Sequence, residues 1–156
     1  MKKTLLIIMI TASLTIVGCS SLQLQPADFS WAAEEIVDVN GKGMVDAKRY
    51  SVAFTVSALL AQEFGADSAA AKGTKELRLI RDKAGFYYVT GKKFKNVYVL
   101  AQGDGALSVA STLSISPEKQ MDDPKFDQKG SYIELWNGKE KFQLTKGAAQ
   151  PLGGKK

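Results

Sequence analysis

Between residues 50 and 145 apolar and polar side chains alternate with a period of two rather than 3.6. In YSVAFTVSALL the apolar positions are Tyr50, Val52, Phe54, Val56, Ala58 and Leu60, with small polar residues mostly between them. That spacing places the apolar set on one face of an extended strand. ALSVASTLSIS repeats the pattern with Leu107, Val109, Leu113 and Ile115, and Ser111 interrupts it. ELRLIRD, GFYYVTG, NVYVLAQ, SYIELW and EKFQLT are strands by their β-branched and aromatic content. Turn signals separate them: DKAG, GKK, GDG and NGKE, of which Trp136-Asn137-Gly138-Lys139 marks the clearest hairpin. The expected fold is mostly β, an antiparallel β-sandwich or small β-barrel, with roughly seven or eight strands in a meander. One Ala-rich stretch, SALLAQEFGADSAAAKG, breaks the period. A helix near residues 57–72 would make the fold α+β.

The first thirty residues follow a different logic. Lys2 and Lys3 precede an uncharged apolar run from Leu5 to Val17. A membrane-spanning helix needs roughly 20 apolar residues, so this shorter run reads as a secretory signal peptide. It ends in Ile16-Val17-Gly18-Cys19, which resembles the lipobox of bacterial lipoproteins. Ile16 stands where that motif usually has Leu, and Val17 where it has Ala or Ser. The resemblance implies diacylglyceryl transfer to the Cys19 sulfur, cleavage between Gly18 and Cys19, and acylation of the new amine. Each buried methylene contributes about 0.8 kcal/mol, so two or three fatty chains anchor a protein essentially permanently. Ser20, in place of an aspartate, points to the outer membrane, with the domain facing the periplasm. The expected organisation is a signal peptide (1–18), a lipidated cysteine and tether (19–29), one β-rich periplasmic domain (30–146) and a flexible tail (147–156).

Composition then removes whole classes of chemistry. The formal balance is +5, and cleavage discards Lys2 and Lys3, so no nucleic-acid signature remains. Cys19 is the single cysteine, and acylation consumes it; the mature domain stands without disulfides or thiol catalysis. There is no histidine, which excludes a Ser-His-Asp triad and every His-based zinc site. The isolated GDG lacks the lysine and helix of a phosphate loop. DVNGKGMVD resembles the start of an EF-hand loop, but Lys42 and Arg49 occupy ligand positions that need oxygen donors. A turn with Asn40-Gly41 at positive φ explains the same letters. MDDPKFD clusters Asp122, Asp123 and Asp127 beside Pro124, and reads as a solvated loop. Glu34 and Glu35 are adjacent and point to opposite faces of a strand. Trp31 and Trp136 are expected in the core. No cofactor, metal or catalytic residue is expected.

The most suggestive stretch of the mature chain is GFYYVTGKKFKNVY. Tyr87, Lys92, Lys93, Phe94 and Lys95 form a candidate binding surface there, a basic turn flanked by rings that could stack on sugars or rest on lipid headgroups. The expected function is a membrane-anchored lipoprotein whose non-catalytic domain binds an envelope protein, lipid or cell-wall polymer. The alternatives are a carrier of an apolar ligand, with Ser108, Ala110 and Thr112 as small cavity-side residues, and a histidine-free hydrolase using Asp122, Asp123, Asp127 or Glu134. The anchor has a direct test. Cys19→Ala is expected to lose palmitate labelling and to leave the membrane pellet in buffer; retention of either would refute lipidation.

Overall fold

A computed structural model describes residues 33–65, 67–103 and 105–153. The chain is mostly β, 51% strand and 14% helix. The strands in order are β1 (Glu35–Asp38), β2 (Met44–Ala47), β3 (Val52–Thr55), β4 (Glu76–Arg81), β5 (Tyr87–Thr90), β6 (Asn96–Gln102), β7 (Leu107–Ser114), β8 (Pro124–Lys129), β9 (Tyr132–Asn137), β10 (Glu140–Thr145) and β11 (Ala148–Leu152). Two short helices, α1 (Ser57–Phe64) and α2 (Ser68–Gly73), lie between β3 and β4. All pairings are antiparallel: a five-stranded sheet β1-β4-β5-β6-β7, a four-stranded sheet β11-β10-β9-β8, and the hairpin β2-β3.

Directly opposed residues of an antiparallel pair share a face, so the register sorts the large sheet into two surfaces. One carries Val37, Leu77, Leu79, Val89, Tyr98 and Leu100. Hairpin β2-β3 and α1 cover it: Gln62 Nε2 donates to Thr112 Oγ1 at 3.2 Å, and the Tyr50 ring meets Tyr87 edge-on at 5.9 Å. The other surface carries Ile80, Tyr88, Val97, Val99 and Leu113. It meets Phe126, Ile133, Leu135, Phe142 and Leu144 from the inward face of the four-stranded sheet, in one continuous core. A sheet covered on both faces needs no polar alternation. That is why all four residues of β5 are buried, and why β6 reads Val-Tyr-Val-Leu without interruption.

Eleven strands stand where seven or eight were expected, and each difference has a physical cause. The period-two run that begins at Tyr50 stops at Thr55, because Val56 turns inward and Ser57 starts α1. The Ala-rich stretch is helical in two pieces: Gly65 ends α1 at φ 57°, and the Asp67 carboxylate caps α2 by accepting from the Ala70 amide at 2.9 Å. MDDPKFD is not a loop throughout. Pro124 begins β8, the edge of its sheet, where a missing N–H is harmless. The expected tail at 147–156 contributes β11, which pairs with β10 from Thr145↔Ala148 to Lys141↔Leu152. Its small Ala149 packs against the core, and its Pro151 sits on an edge strand. In the turn after β1 the positive φ, 69°, falls on Gly43 rather than at Asn40-Gly41, and a Cβ at Gly43 would come within 2.8 Å of Ser57 Oγ. The Asn40 carboxamide oxygen accepts from Lys42 and Met44 amides, closing that loop as an Asx turn without an ion.

Three side-chain networks hold the layers. Glu63 on α1 accepts from the Lys95 amide, from Asn96 Nδ2 at 2.8 Å and from the Tyr98 hydroxyl at 2.8 Å. Arg78 donates to Glu34 Oε2 at 2.8 Å and Asp123 Oδ1 at 3.0 Å, while Glu34 Oε1 accepts the Phe126 amide at 2.8 Å. That network stitches β4 to β8 across the sandwich. Asp82 accepts from the Phe86 amide at 2.8 Å and the Tyr88 hydroxyl at 3.1 Å. Glu63→Ala strands three donors and is expected to cost about 3 kcal/mol of unfolding free energy, read as a lower urea midpoint, with Glu63→Gln less damaging. Burial, and then the neighbouring carboxylates of Asp82 and Glu63, push the Tyr88 and Tyr98 phenols well above their ordinary 10.0. Unfolded tyrosine loses its proton near that value while the folded phenols keep theirs. Stability is therefore whole below pH 10 and falls as pH rises beyond it. Tyr88→Phe is expected to flatten that alkaline decline, measured by urea unfolding at pH 8 and 11.

Candidate binding face

The expected aromatic-basic surface falls at the start of β5 and on the turn between β5 and β6. Phe94 is fully buried, meeting Phe64 edge-on at 5.3 Å and Tyr98 at 6.3 Å. Two backbone bonds to Met121, from the Lys93 amide at 2.7 Å and to the Phe94 carbonyl at 2.8 Å, pin the turn to the loop before β8. Tyr87 is also buried, below the Arg81 guanidinium at 5.5 Å from its ring centroid. The rings of the expected aromatic-basic surface are therefore core residues. Of the five candidates, Lys92 and Lys93 are exposed and Lys95 is half-buried. Lys92 and Lys93 border a groove of about 500 Å³ with Phe64, Asp67, Lys75 and Glu76, where two carboxylates offset the three ammonium groups. The half-buried Phe64, packed edge-on against Phe94, is the ring bordering this groove among the described residues, and the balanced charges leave little net field.

The carboxylates of the expected hydrolase set do not converge. Asp123 is engaged by Arg78 and by Lys125 at 3.0 Å, and the hydrogen bond from Lys125 holds its carboxyl below the usual aspartate range. Asp122 is exposed in a small groove beside Lys92. Asp127 and Glu134 are the exception: they are direct cross-strand partners on β8 and β9. Like charges in that position repel. Here Lys129 meets Asp127 at 2.5 Å, and Lys141 stands 3.8 Å from Glu134.

That pair belongs to a surface the sequence did not single out, the outward face of the four-stranded sheet. The period of two that sends Ile133 and Leu135 into the core turns Tyr132, Glu134 and Trp136 outward along β9. Lys125, Asp127 and Lys129 of β8 flank them on one side, and Lys141 and Gln143 of β10 on the other. Both aromatic rings are half-buried; Trp136 is not in the core. Glu134 has only 6% of its surface exposed, although among the described residues no further sheet is stacked on this face. Among the described residues two buried polar atoms there lack a hydrogen bond: Glu134 Oε1, which has only the Lys141 ammonium at 3.8 Å, and Trp136 Nε1. The Lys141 ammonium stacks over the Trp136 ring at 3.7 Å from its centroid. At an exposed site such a cation–π contact contributes about 0.5–1 kcal/mol, little enough for the side chain to be moved aside. The sequence signal for this face was the outer half of SYIELW, legible only once the inner half is known to be core.

Cys19 and Gly18 lie outside the described residues. Among the described residues no helix is long and apolar enough to cross a membrane. No family of known proteins matches this chain, nor does any curated protein or solved structure.

Proposed function

We propose that this chain is an envelope lipoprotein, lipidated at Cys19 and held at the outer membrane, whose non-catalytic β domain binds another envelope component through the outward face of its four-stranded sheet. The observation that supports binding most is the stripe Tyr132, Glu134 and Trp136, with one unpaired buried acceptor and one unpaired buried donor in the same exposed surface. An unpaired buried polar atom costs about 1–3 kcal/mol, a cost that a bound partner recovers. The lipobox and the short segment behind it support the location.

A carrier role is supported less well. The space between the sheets is filled by Ile80, Tyr88, Val97 and Val99 against Phe126, Leu135 and Phe142. Ser108, Ala110 and Thr112, the small residues that a cavity would use, are exposed on edge strand β7.

Photo-crosslinkers placed in the full-length lipidated protein test the reading in its own membrane. A probe at Gln150, exposed on the outward face, is expected to give heavier adducts, and one at Lys119, exposed in the loop before β8, is not. No adduct from Gln150, or equal adducts from both, overturns the proposal.

A further inference from the structure

We infer that the component bound on this face is a glycan, an inference that rests on the binding role proposed above and names the ligand's chemistry. The unpaired atoms specify what it must supply. Glu134 Oε1 needs a donor and Trp136 Nε1 needs an acceptor, a short distance apart on one strand. A saccharide hydroxyl provides both functions, and the C–H face of a pyranose ring suits the flat apolar side of an indole. Gln143 and Asp127, to either side of Glu134, add amide and carboxylate groups of the kind that orient ring hydroxyls.

Other occupants fit worse. An extended peptide binds by adding a strand, which requires a sheet edge with free backbone groups; a sheet face offers none. An anionic lipid surface requires net positive charge. Lys125, Lys129 and Lys141 of this sheet are matched at 3.0, 2.5 and 3.8 Å by Asp123, just before β8, and by Asp127 and Glu134. The three ion pairs leave a surface that is nearly neutral, polar and aromatic.

Lys141 is the movable part. Its ammonium lies over Trp136 and beside Glu134, and its side chain is 42% exposed, so it can swing into solvent. A pyranose ring then takes the ammonium's place on the indole. One hydroxyl donates to Glu134 Oε1, and a ring, hydroxyl or acetamido oxygen accepts from Trp136 Nε1. No bond is made or broken.

The test is calorimetric titration of the full-length protein, in a detergent without a sugar headgroup, with peptide-free strands of alternating N-acetylglucosamine and N-acetylmuramic acid. Saturable binding is expected. Trp136→Phe, which keeps an apolar ring but removes the donor, and Glu134→Gln, which keeps the shape but removes the charge, are each expected to weaken it about tenfold. Lys141→Ala is expected to bind at least as tightly as the native chain. Unchanged thermal melting of all three variants separates binding from folding. No binding by the native protein, or full binding by both Trp136→Phe and Glu134→Gln, overturns the glycan inference, as does abolition of binding by Lys141→Ala. If the strands do not bind while the Gln150 crosslinker still captures envelope material, the glycan inference fails and the proposed function stands. If neither occurs, both fail.

Discussion

Burying a five-stranded sheet on both faces is the constraint from which the rest of this domain follows. Such a sheet can be almost wholly apolar, but its covering helix brings polar groups inward, and each must find a partner. Glu63 meets that requirement at one point. Its carboxylate accepts the Lys95 amide, the Asn96 carboxamide and the Tyr98 hydroxyl. It thereby holds α1 on the sheet, fixes the β5-β6 turn and leaves no orphan donor beneath the helix. With that turn fixed, Phe94 has nowhere to go but inward, against Phe64 and Tyr98. The turn consequently shows lysines to solvent and keeps its aromatic side chains to itself.

The four-stranded sheet is the complement of this arrangement. Its inward face is needed to complete the sandwich, and among the described residues its outward face is covered by no other sheet. Two glutamates make the contrast concrete. Half-buried Glu63 is part of a closed network, the usual state of a carboxylate that holds a fold together. Glu134 is more deeply enclosed, yet among the described residues Oε1 has no hydrogen-bond partner and its nearest cation stands at 3.8 Å. A group of that kind does little for the fold, because a hydrocarbon side chain of similar size would fill the same space without the desolvation cost. Its presence is better understood through what reaches it from outside.

Much of the architecture was legible from alternation and composition together. Strand β7 lies in a stretch the period of two marked, β4, β5, β6, β9 and β10 lie where β-branched and aromatic content placed them, and Gly138, with φ 63°, closes the two-residue hairpin signalled by Asn137-Gly138. What escaped was governed by context. A bulge between Val99 and Leu100 shifts the register of β7, so Val109 faces away from the side of Leu113 and is left 42% exposed; no local sequence signal marks that shift. β1, β2, β8 and β11 are short, charged or proline-bearing, the properties of edge strands, which are the ones pattern reading discounts. The burial of Tyr87 and Phe94, the two rings of the candidate surface, escaped for a related reason. In GFYYVTGKKFKNVY the aromatic-basic mixture looks like a surface, but the sheet there is covered twice and absorbs Tyr87, Tyr88, Phe94 and Tyr98, leaving Phe86 half-buried. In SYIELW the same mixture is sparser, yet its sheet is covered once, and one half of the alternation must face out.

The position of the chain's start within the fold bears on how such a face can be used. β1 runs antiparallel to β4 with Glu35 opposite Leu79, so Ala33 lies toward the end of the large sheet that carries the Asp82–Gly85 turn. The Tyr50 hydroxyl fastens the Ala33 carbonyl there, and Glu34 ties the same point to Arg78 and β8. Lys92 and Lys93 stand at the opposite end, beyond the start of β4 and the end of β5. Under the proposed anchoring at Cys19, the groove beside Lys92 and Lys93 lies at the end of the large sheet remote from Ala33, which disfavours it as a membrane contact. The 13 residues between Cys19 and Ala33 span at most about 45 Å. Under the proposed anchoring, that span and the domain's own length set how far from the bilayer a partner of the outward sheet face can lie, and the paired charges of that face give an anionic bilayer little to attract it.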